Sequence, residues 1–376
     1  MRCPTKISGQ FGQRFPDFIE TRPEILAHHY GEAAIADKAT TYWHRAGKLS
    51  VAKSAVREAI AQLRRGLGLL DGLPETRERQ QLELDIHITL VTALMGGKGY
   101  ADPEVATVLE RAHRLVTEIA GVGTPQHFAV LYGLWAFHYV AGQPEAARLR
   151  AAEFLSIAQS GTASGPLLIG HRLLATSLIM VGDYCGALPN VETAASLYRL
   201  DEHREFAFRY GQDIGVANLA YFSWALWHSG YPDRSARAAV RALEHGRQFG
   251  HAHTMAFALW HIGMKAVFAR DVGKAGACAN ECIALANEHG FPFWVGFGLI
   301  VQGWVVAHSG DPTTGVARIR EGLGAAEATG AGNFKPLHLG LLAEALALAG
   351  EIDNGISVLD EALTASAGSG LRCADA

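Results

Sequence analysis

A short turn motif recurs six times in this 376-residue sequence, and it constrains the fold more than any other feature. Each copy starts with glycine, or in one case arginine, and has a small residue five positions later. The copies start at Gly142, Gly182, Gly230, Arg270, Gly310 and Gly350, so the spacings are 40, 48, 40, 40 and 40 residues. Glycine can end a helix in the left-handed conformation, and the polar residue or proline behind it opens the next helix. The series predicts regularly spaced helix–turn–helix elbows.

Small residues around each elbow favour close packing of the two helices. Twelve residues before the small residue of each turn, five of the six copies again carry a small side chain, namely Ala175, Ser223, Gly263, Gly303 and Ala343, with Trp135 as the exception. Such pairs of small side chains let antiparallel helices approach closely, as they do in tetratricopeptide (TPR) repeats. A standard TPR has about 34 residues, so this longer period predicts helices that are longer by most of a turn.

The fold class follows from the period and from the absence of strand patterns. The sequence has no sustained alternation of apolar and polar residues and no Asn-Gly hairpin. We predict an all-α fold, a right-handed α-solenoid of TPR-like antiparallel helix pairs with a period of about 40 residues. We divide the chain into a flexible tail (1–13), N-terminal helical pairs (14–122), the TPR-like solenoid (123–366) with an insert at 200–216, and a second flexible tail (367–376).

Composition and charge exclude several classes of function. The formal charge is −4 and the longest basic run is the pair Arg64 and Arg65, which predicts no nucleic-acid binding. A signal peptide or a membrane span needs an apolar stretch that is missing here, which predicts a cytoplasmic protein with no membrane partner. Five cysteines without a CxxC motif indicate neither a disulfide framework nor a zinc site.

No motif predicts catalysis, a cofactor or a metal. The Gly-Lys pairs at Gly47, Gly97 and Gly273 lack the Ser or Thr of a phosphate-binding loop. The densest histidine sets, His28 with His29 and His251 with His253 and His261, lack the i, i+4 spacing and the nearby carboxylate of a helical metal site. Cys278 and Cys282 lie four apart and could form a redox or soft-metal pair, but Cys282 occupies a repeat position that otherwise holds Ala or Gly. A buried small residue is the favoured interpretation there.

Several segments carry a family resemblance, at residues 14–34, 98–106, 203–234 and 290–305. The most specific is the run HREFAFRYGQD at residues 203–213, which repeat packing alone does not require. These segments resemble the C-terminal TPR region of large bacterial proteins that join a class III adenylate/guanylate cyclase domain to an AAA-type ATPase. The resemblance implies a regulatory helical region, because in that family the catalytic residues lie in the preceding domains and none is present here. It also implies that the last helix pair lacks its cap, which favours self-association.

Two sets of residues are candidates for a binding site. If the first helix of each pair lines the concave side, an aromatic groove results, formed by Tyr132, Tyr139, Trp224, Trp227, Phe257, Trp260, Phe297 and Trp304. The alternative is that the longer helices bury these rings between neighbouring pairs. The insert supplies polar partners, His203, Arg204, Arg209, Tyr210, Gln212 and Asp213. They either bind a ligand at one end of the groove or form an internal latch where the spacing breaks.

We expect a non-catalytic scaffold that binds a protein or peptide partner on its concave face. One alternative is a helical domain that senses a small-molecule effector, as in ATPase-type transcription regulators, because an aromatic groove also suits an apolar ligand. Another is the remnant of a larger gene.

Overall fold

The computed structural model describes residues 21–53 and 55–373, and within these ranges the regular secondary structure is helical, with no strand. The chain divides into two compact units, Met1–Leu134 and Trp135–Ala376. The division falls inside the helix Pro125–Val140 and lies twelve residues after the boundary expected at residue 122. No helix of the described residues is long and apolar enough to cross a membrane.

The first unit begins with five helices, each of which packs against the next along the chain. Thr76 caps α4 and Asp102 caps α5, each by accepting a backbone N–H of the first turn. A short π-helical turn, Val116–Ala120, follows α5. The helices are α1 (Pro23–Glu32), α2 (Ala36–Ala52), α3 (Val56–Leu70), α4 (Arg77–Lys98), α5 (Pro103–Leu115) and the first part of α6 (Pro125–Val140).

The second unit contains the predicted helix pairs. After the end of α6 come α7 (Pro144–Gln159), α8 (Ser164–Met180), α9 (Tyr184–Leu197), the short α10 (Leu200–His203) and α11 (Phe206–Tyr210), α12 (Ile214–His228), α13 (Pro232–Phe249), α14 (Ala252–Phe268), α15 (Val272–His289), α16 (Pro292–His308), α17 (Pro312–Glu327), α18 (Lys335–Leu348) and α19 (Ile352–Ser369). From the pair α8/α9 onward, the two helices that an elbow joins pack on each other. The first helices of successive pairs also contact each other, α12 with α14, α14 with α16, and α16 with α18. The α-solenoid of TPR-like pairs is thereby confirmed.

Backbone conformation explains the recurring turn motif. The five glycines that start it have φ between 74° and 103°, and Arg270, which replaces glycine in one copy, has φ of 57°. All six residues are thus in the left-handed region that ends a helix. The aspartates that follow Gly182, Arg270 and Gly310 cap the next helix, because each carboxylate accepts a backbone N–H three residues later.

A second glycine series, in a different phase, ends the second helix of the later pairs. Gly250, Gly290, Gly330 and Gly370 have φ between 68° and 79° and are again 40 residues apart. This series was not singled out in the sequence, although its spacing is as regular as that of the elbows.

The small residues bring helix backbones into contact. A Cβ atom added at Gly303 in α16 would lie 2.7 Å from the carbonyl oxygen of Gly315 and 2.8 Å from the amide nitrogen of Ile319, both in α17. In the α12/α13 pair, the Ser235 hydroxyl donates to the carbonyl oxygen of Ser223 at 2.7 Å. The paired small positions therefore act as expected from the sequence.

The C-terminal end differs from the flexible tail expected from residue 367. Helix α19 continues to Ser369, and Leu371 and Cys373 are buried. The Arg372 amide donates to the carbonyl oxygen of Met180, and the Tyr184 hydroxyl donates to that of Cys373, both at 2.8 Å. The small residues of this end looked like a tail in the sequence because these partners lie almost 190 positions away.

Candidate functional site

The aromatic residues expected to line a groove are mostly buried. Trp224, Trp260, Phe297 and Trp304 are at most 1% exposed, and Tyr132 and Phe257 are also buried. Tyr139 and Trp227 are partly exposed, and the Lys265 ammonium lies 4.8 Å from the centre of the Trp227 ring. Tyr132 belongs to the first unit and the others to the second. In the described structure Trp224 packs against Trp260 and Trp260 against Phe297, and the use of the predicted rings as a groove stays a prediction.

Phe334 lies at the centre of this packing, although the sequence did not mark it. Its ring is 2% exposed, and its centre is 4.7 Å from Trp260, 5.8 Å from Trp224, 6.0 Å from Phe297 and 6.2 Å from Tyr139. We call these five rings the aromatic interior. Phe334 follows Trp294 by 40 residues, so an alignment of the repeats could have found it.

The chain itself closes the aromatic interior. The segment before α18 reaches back to the end of α6, where the amides of Gly332 and Asn333 both donate to the carbonyl oxygen of Val140, at 2.8 and 3.2 Å. A Cβ added at Gly142 would lie 2.8 Å from the Gly332 carbonyl oxygen, so the two segments touch through glycine backbone. The last pair thus meets the first elements of the second unit and covers the rings between them.

A buried arginine borders the aromatic interior. Arg172 in α8 is 1% exposed, and its guanidinium lies 4.9 Å from the Trp135 ring centre and 5.8 Å from that of Tyr221. Among the described residues no carboxylate forms an ion pair with it, and its Nε and Nη1 atoms have no hydrogen-bond partner there. Sequence reasoning missed this residue because a single arginine belongs to no motif, and its repeat position shows no common residue type, holding Tyr132, Ala220, Trp260, Ile300 and Gly340 in the other pairs.

Polar groups around Arg172 are neutral. The Tyr139 and Tyr221 hydroxyls share a short hydrogen bond, and burial raises the pKa of Tyr139. Burial lowers the pKa of His261 to about 3, and its Nδ1 bonds the Phe257 carbonyl oxygen at 2.8 Å. Asn333 lowers the pKa of Tyr139 in part, while the Oδ1 of Asn333 and the Nε2 of His261 are buried without a partner among the described atoms. We call Arg172, Tyr139, Tyr221, His261 and Asn333 the Arg172 cluster.

Asp213, at the end of the insert, is bonded on every side by residues of the second unit. Its Oδ1 caps α12 by accepting the Val216 amide at 2.8 Å, and its Oδ2 accepts from the Tyr198 hydroxyl at 2.9 Å. Its own amide donates to the Thr254 hydroxyl at 2.9 Å. Burial raises the pKa of this carboxyl, which is 1% exposed. Asp213 therefore ties the insert to α9, α12 and α14.

The other insert residues are also engaged with the fold. His203, Tyr210 and Gln212 are buried, and the His203 Nδ1 accepts the Arg199 amide at 3.0 Å. Arg204 is exposed, and its guanidinium lies 5.2 Å from the Phe249 ring centre. The Arg209 side chain lies outside the described part of the structure. Beside Asp213 there is a cavity of about 30 Å³, which is room for one water molecule.

The histidine and cysteine sets are dispersed or packed. No group of three or more side chains that could hold a metal ion occurs among the described residues. The rings of His251 and His253 are 6.5 Å apart, and His28 and His29 are exposed. Cys278 and Cys282 are buried, and burial raises their pKa values to about 11 and about 12. Both thiols are therefore protonated at neutral pH, which does not suit nucleophiles.

The first unit has an open cleft of about 850 Å³ between α1, α2 and α4. Its charges are mixed, since Lys38 and Arg45 are present together with Asp37 and Asp85. The two basic groups lie over tyrosine rings, Lys38 over Tyr30 and Arg45 over Tyr42. None of the predicted site residues lines this cleft.

Comparison with known proteins gives one curated relative. It is an uncharacterised protein of Rhizobium meliloti (strain 1021), 25% identical over 341 residues, which cover 90% of this chain and 33% of that protein. The chain therefore spans about a third of the length of the relative it matches. No family model matches the chain.

Solved structures with a similar fold include three proteins of low sequence identity. A Rap protein complexed with competence and sporulation factor has a TM-score of 0.55 at 12% identity, over 88% of this chain and 92% of that one. The apo form of RapI has a TM-score of 0.59 at 9% identity, over 77% and 98%. Aspartyl phosphate phosphatase F from Bacillus subtilis has a TM-score of 0.55 at 9% identity, over 86% and 93%. At these identities the likeness concerns the fold alone.

Proposed function

We propose that the second unit is a non-catalytic interaction scaffold that binds a peptide or protein partner through the concave side of its first helices. The observation that carries this proposal is the aromatic interior, where rings from four helix pairs meet around Phe334. Clustered aromatic side chains are the usual anchors of peptide and protein binding, and a partner would reach these buried rings by displacing the segment that carries Phe334. The similar fold of a Rap protein in complex with competence and sporulation factor supports the use of this fold for binding.

We further propose that the chain acts as a regulatory region in signalling, related to the TPR tail of cyclase/ATPase proteins in the cytoplasm. Supporting this, the R. meliloti relative is about three times as long as the stretch that this chain matches. A helical region of this kind would then belong to a larger protein in at least one relative.

Photo-crosslinking tests the scaffold proposal. Trp227, partly exposed in α12, is replaced by p-benzoylphenylalanine, and Val240, 46% exposed in the second helix α13, is replaced in the same way as the control. We expect a discrete crosslinked species from position 227 in extracts of the source cells, which an excess of unmodified protein removes, and none from position 240. Equal crosslinking at both positions, or none at either, contradicts binding by the concave side.

We propose that the insert is an internal latch. The bonds from Asp213 to Tyr198, Val216 and Thr254 support this role, because they join three helices where the repeat spacing breaks. A buried, fully bonded carboxylate of this kind stabilises the fold and leaves little capacity for a ligand.

We also propose that the last helix pair mediates self-association through a second copy of the chain. In α19 the apolar residues Ile352, Ile356, Leu359 and Leu363 are 47 to 60% exposed. The residues 40 positions before Ile356 and Leu359 are Val316 and Ile319, which are 3% and 0% exposed. The α19 face therefore corresponds to a face that is buried in the preceding pair. A helix pair from a second copy of the chain is suited to cover it.

A second candidate function is the sensing of a small-molecule effector. The unpaired buried charge of Arg172 favours it, because a compact anionic ligand could neutralise that charge inside the second unit.

A further inference from the structure

Arg172 carries a buried positive charge that has no anionic partner among the described residues. A guanidinium is charged at every physiological pH, and burying it without an anionic partner costs several kcal/mol. The rings of Trp135 and Tyr221 offset part of this cost through cation–π contacts. Two of its nitrogens still have no acceptor among the described residues. An acceptor with a negative charge would complete the site.

The net charge of the Arg172 cluster favours a monoanion as that acceptor. His261 is neutral, because burial lowers its pKa to about 3, and the Tyr139 hydroxyl is protonated, because burial raises its pKa. The cluster therefore carries one positive charge. A carboxylate would bring the total to zero, whereas a dianionic phosphate would leave a buried negative charge.

The surroundings of the cluster indicate what the carboxylate is attached to. Two rings link Phe334 to the rings that Arg172 contacts. The Phe334 ring centre is 6.2 Å from Tyr139, which stacks on Trp135, and 6.3 Å from His261, which packs against Tyr221. Its other neighbours are the rings of Trp224, Trp260 and Phe297. One aromatic ring that the chain supplies itself, that of Phe334, thus lies against rings that are one contact away from those beside Arg172.

We propose that Arg172 is the anchor of a binding site for an aromatic carboxylate, and that the ring of the ligand takes the place of Phe334. This inference rests on the proposed use of the aromatic interior for binding. Phe334 acts as an internal competitor, held by the hydrogen bonds of Gly332 and Asn333 to Val140. The carboxylate is supplied either by a free aromatic acid or by the C-terminus of a peptide that ends in an aromatic residue.

Phenylacetate and phenylacetamide are suitable probes, because they share one ring and differ in charge. They are titrated into the Phe334→Ala protein, in which an apolar cavity replaces the ring. We expect phenylacetate to bind at least about tenfold more tightly than phenylacetamide, the gain typical of a charge-assisted hydrogen bond. Wild-type protein should show the same preference at lower affinity for both probes.

Matched variants assign the preference to Arg172. Adding Arg172→Met to Phe334→Ala should abolish the preference and leave phenylacetamide binding unchanged, whereas Arg318→Met, at an exposed position, should preserve it. If Phe334→Ala does not fold, Phe334→Leu and the wild-type protein are compared with and without Arg172→Met. Equal binding of the two probes, or a preference that survives Arg172→Met, overturns the proposal.

Thermal stability separates a ligand anchor from a structural arginine. Removing an uncompensated buried charge should leave the Tm of Arg172→Met unchanged or raise it. A fall of several degrees without any difference between the probes identifies Arg172 as a structural cation–π residue and overturns the proposal.

Two further arms distinguish the ligand source and the scaffold function. If the preference for N-acetylphenylalanine over its amide exceeds the preference for phenylacetate over phenylacetamide, the ligand is a peptide C-terminus. If it is the smaller of the two preferences, the ligand is a free aromatic acid. If position 227 crosslinks a partner while the probes bind equally, the scaffold function stands and the anion site is overturned. If the probes differ and no partner crosslinks, the anion site stands without the scaffold.

Discussion

At the scale of single residues, buried histidines should make stability fall in mild acid. Burial lowers the pKa of His338 to about 3, and its ring packs against Phe297 with centres 4.8 Å apart. Below about pH 6.5 the unfolded chain binds a proton that the folded chain excludes, so the free energy of unfolding decreases as pH falls. One such histidine contributes a slope of up to about 1.4 kcal/mol per pH unit.

The variant His338→Leu tests this slope. Urea unfolding, followed by tryptophan fluorescence between about pH 7 and pH 4.5, should show a shallower loss of stability for His338→Leu than for wild type. His289→Gln, at an exposed position in α15, should retain the wild-type slope. Identical slopes for all three proteins would mean that His338 takes up a proton without unfolding.

The candidate site could be predicted from the sequence only in part, and the reason lies in individual residues. The rings of the predicted aromatic groove were visible in the sequence because residues such as Phe257 and Phe297 lie one repeat period apart. The roles of Arg172 and Phe334 were not visible. Aligning the repeats places Phe334 opposite Trp294, but it does not show which residues of distant repeats either side chain contacts. Phe334 meets Tyr139 across 195 positions, and the period carries no information on such contacts.

At the scale of helices, the close approach of α16 and α17 should tolerate no side chain at Gly303. A methyl group there would lie 2.7 Å from the Gly315 carbonyl oxygen, so Gly303→Ala forces two backbones apart. We expect a net loss of about 1–3 kcal/mol in the free energy of unfolding, despite the better helix propensity of alanine. Chemical denaturation measures this loss.

Gly324 provides the matched control in the same helix pair. It is exposed in α17, and nothing lies within 4 Å of a Cβ added there. Gly324→Ala should therefore stabilise the protein by up to about 1 kcal/mol. If Gly303→Ala also proved stabilising, the helices would be able to separate without cost, and the close contact would not hold the pair together.

The elements themselves were the most predictable part of the structure. The elbow series located all six helix pairs, because a left-handed residue followed by a cap is a local signal. The short helices α10 and α11 of the insert and the end of α19 at Ser369 were not located. The insert and the C-terminal end depend on partners from distant helices. Asp213 at the end of the insert bonds Thr254, and Arg372 after α19 bonds Met180.

At the scale of the whole molecule, the exposed face of α19 should make the chain associate with itself. Ile356 and Leu359 are 55% and 47% exposed on a face that is buried in the preceding pair. Covering this apolar area removes it from water, and each fully buried side chain contributes about 1.5–3 kcal/mol. We expect wild-type protein to dimerise with rising concentration in sedimentation velocity or light scattering.

Charge substitutions on this face decide whether it is the interface. Ile356→Glu with Leu359→Glu should give a monomer at every concentration, and its Tm at high dilution should match that of the wild type, because both side chains lie outside the core of the pair. Val240→Glu, at a comparably exposed position in α13, should leave the dimer intact. A dimer that survives the double substitution must use another surface, and a wild-type chain that stays monomeric would contradict self-association through α19. Because dimerisation and probe binding involve different residues, the phenylacetate preference should be the same in the double variant and in the wild type.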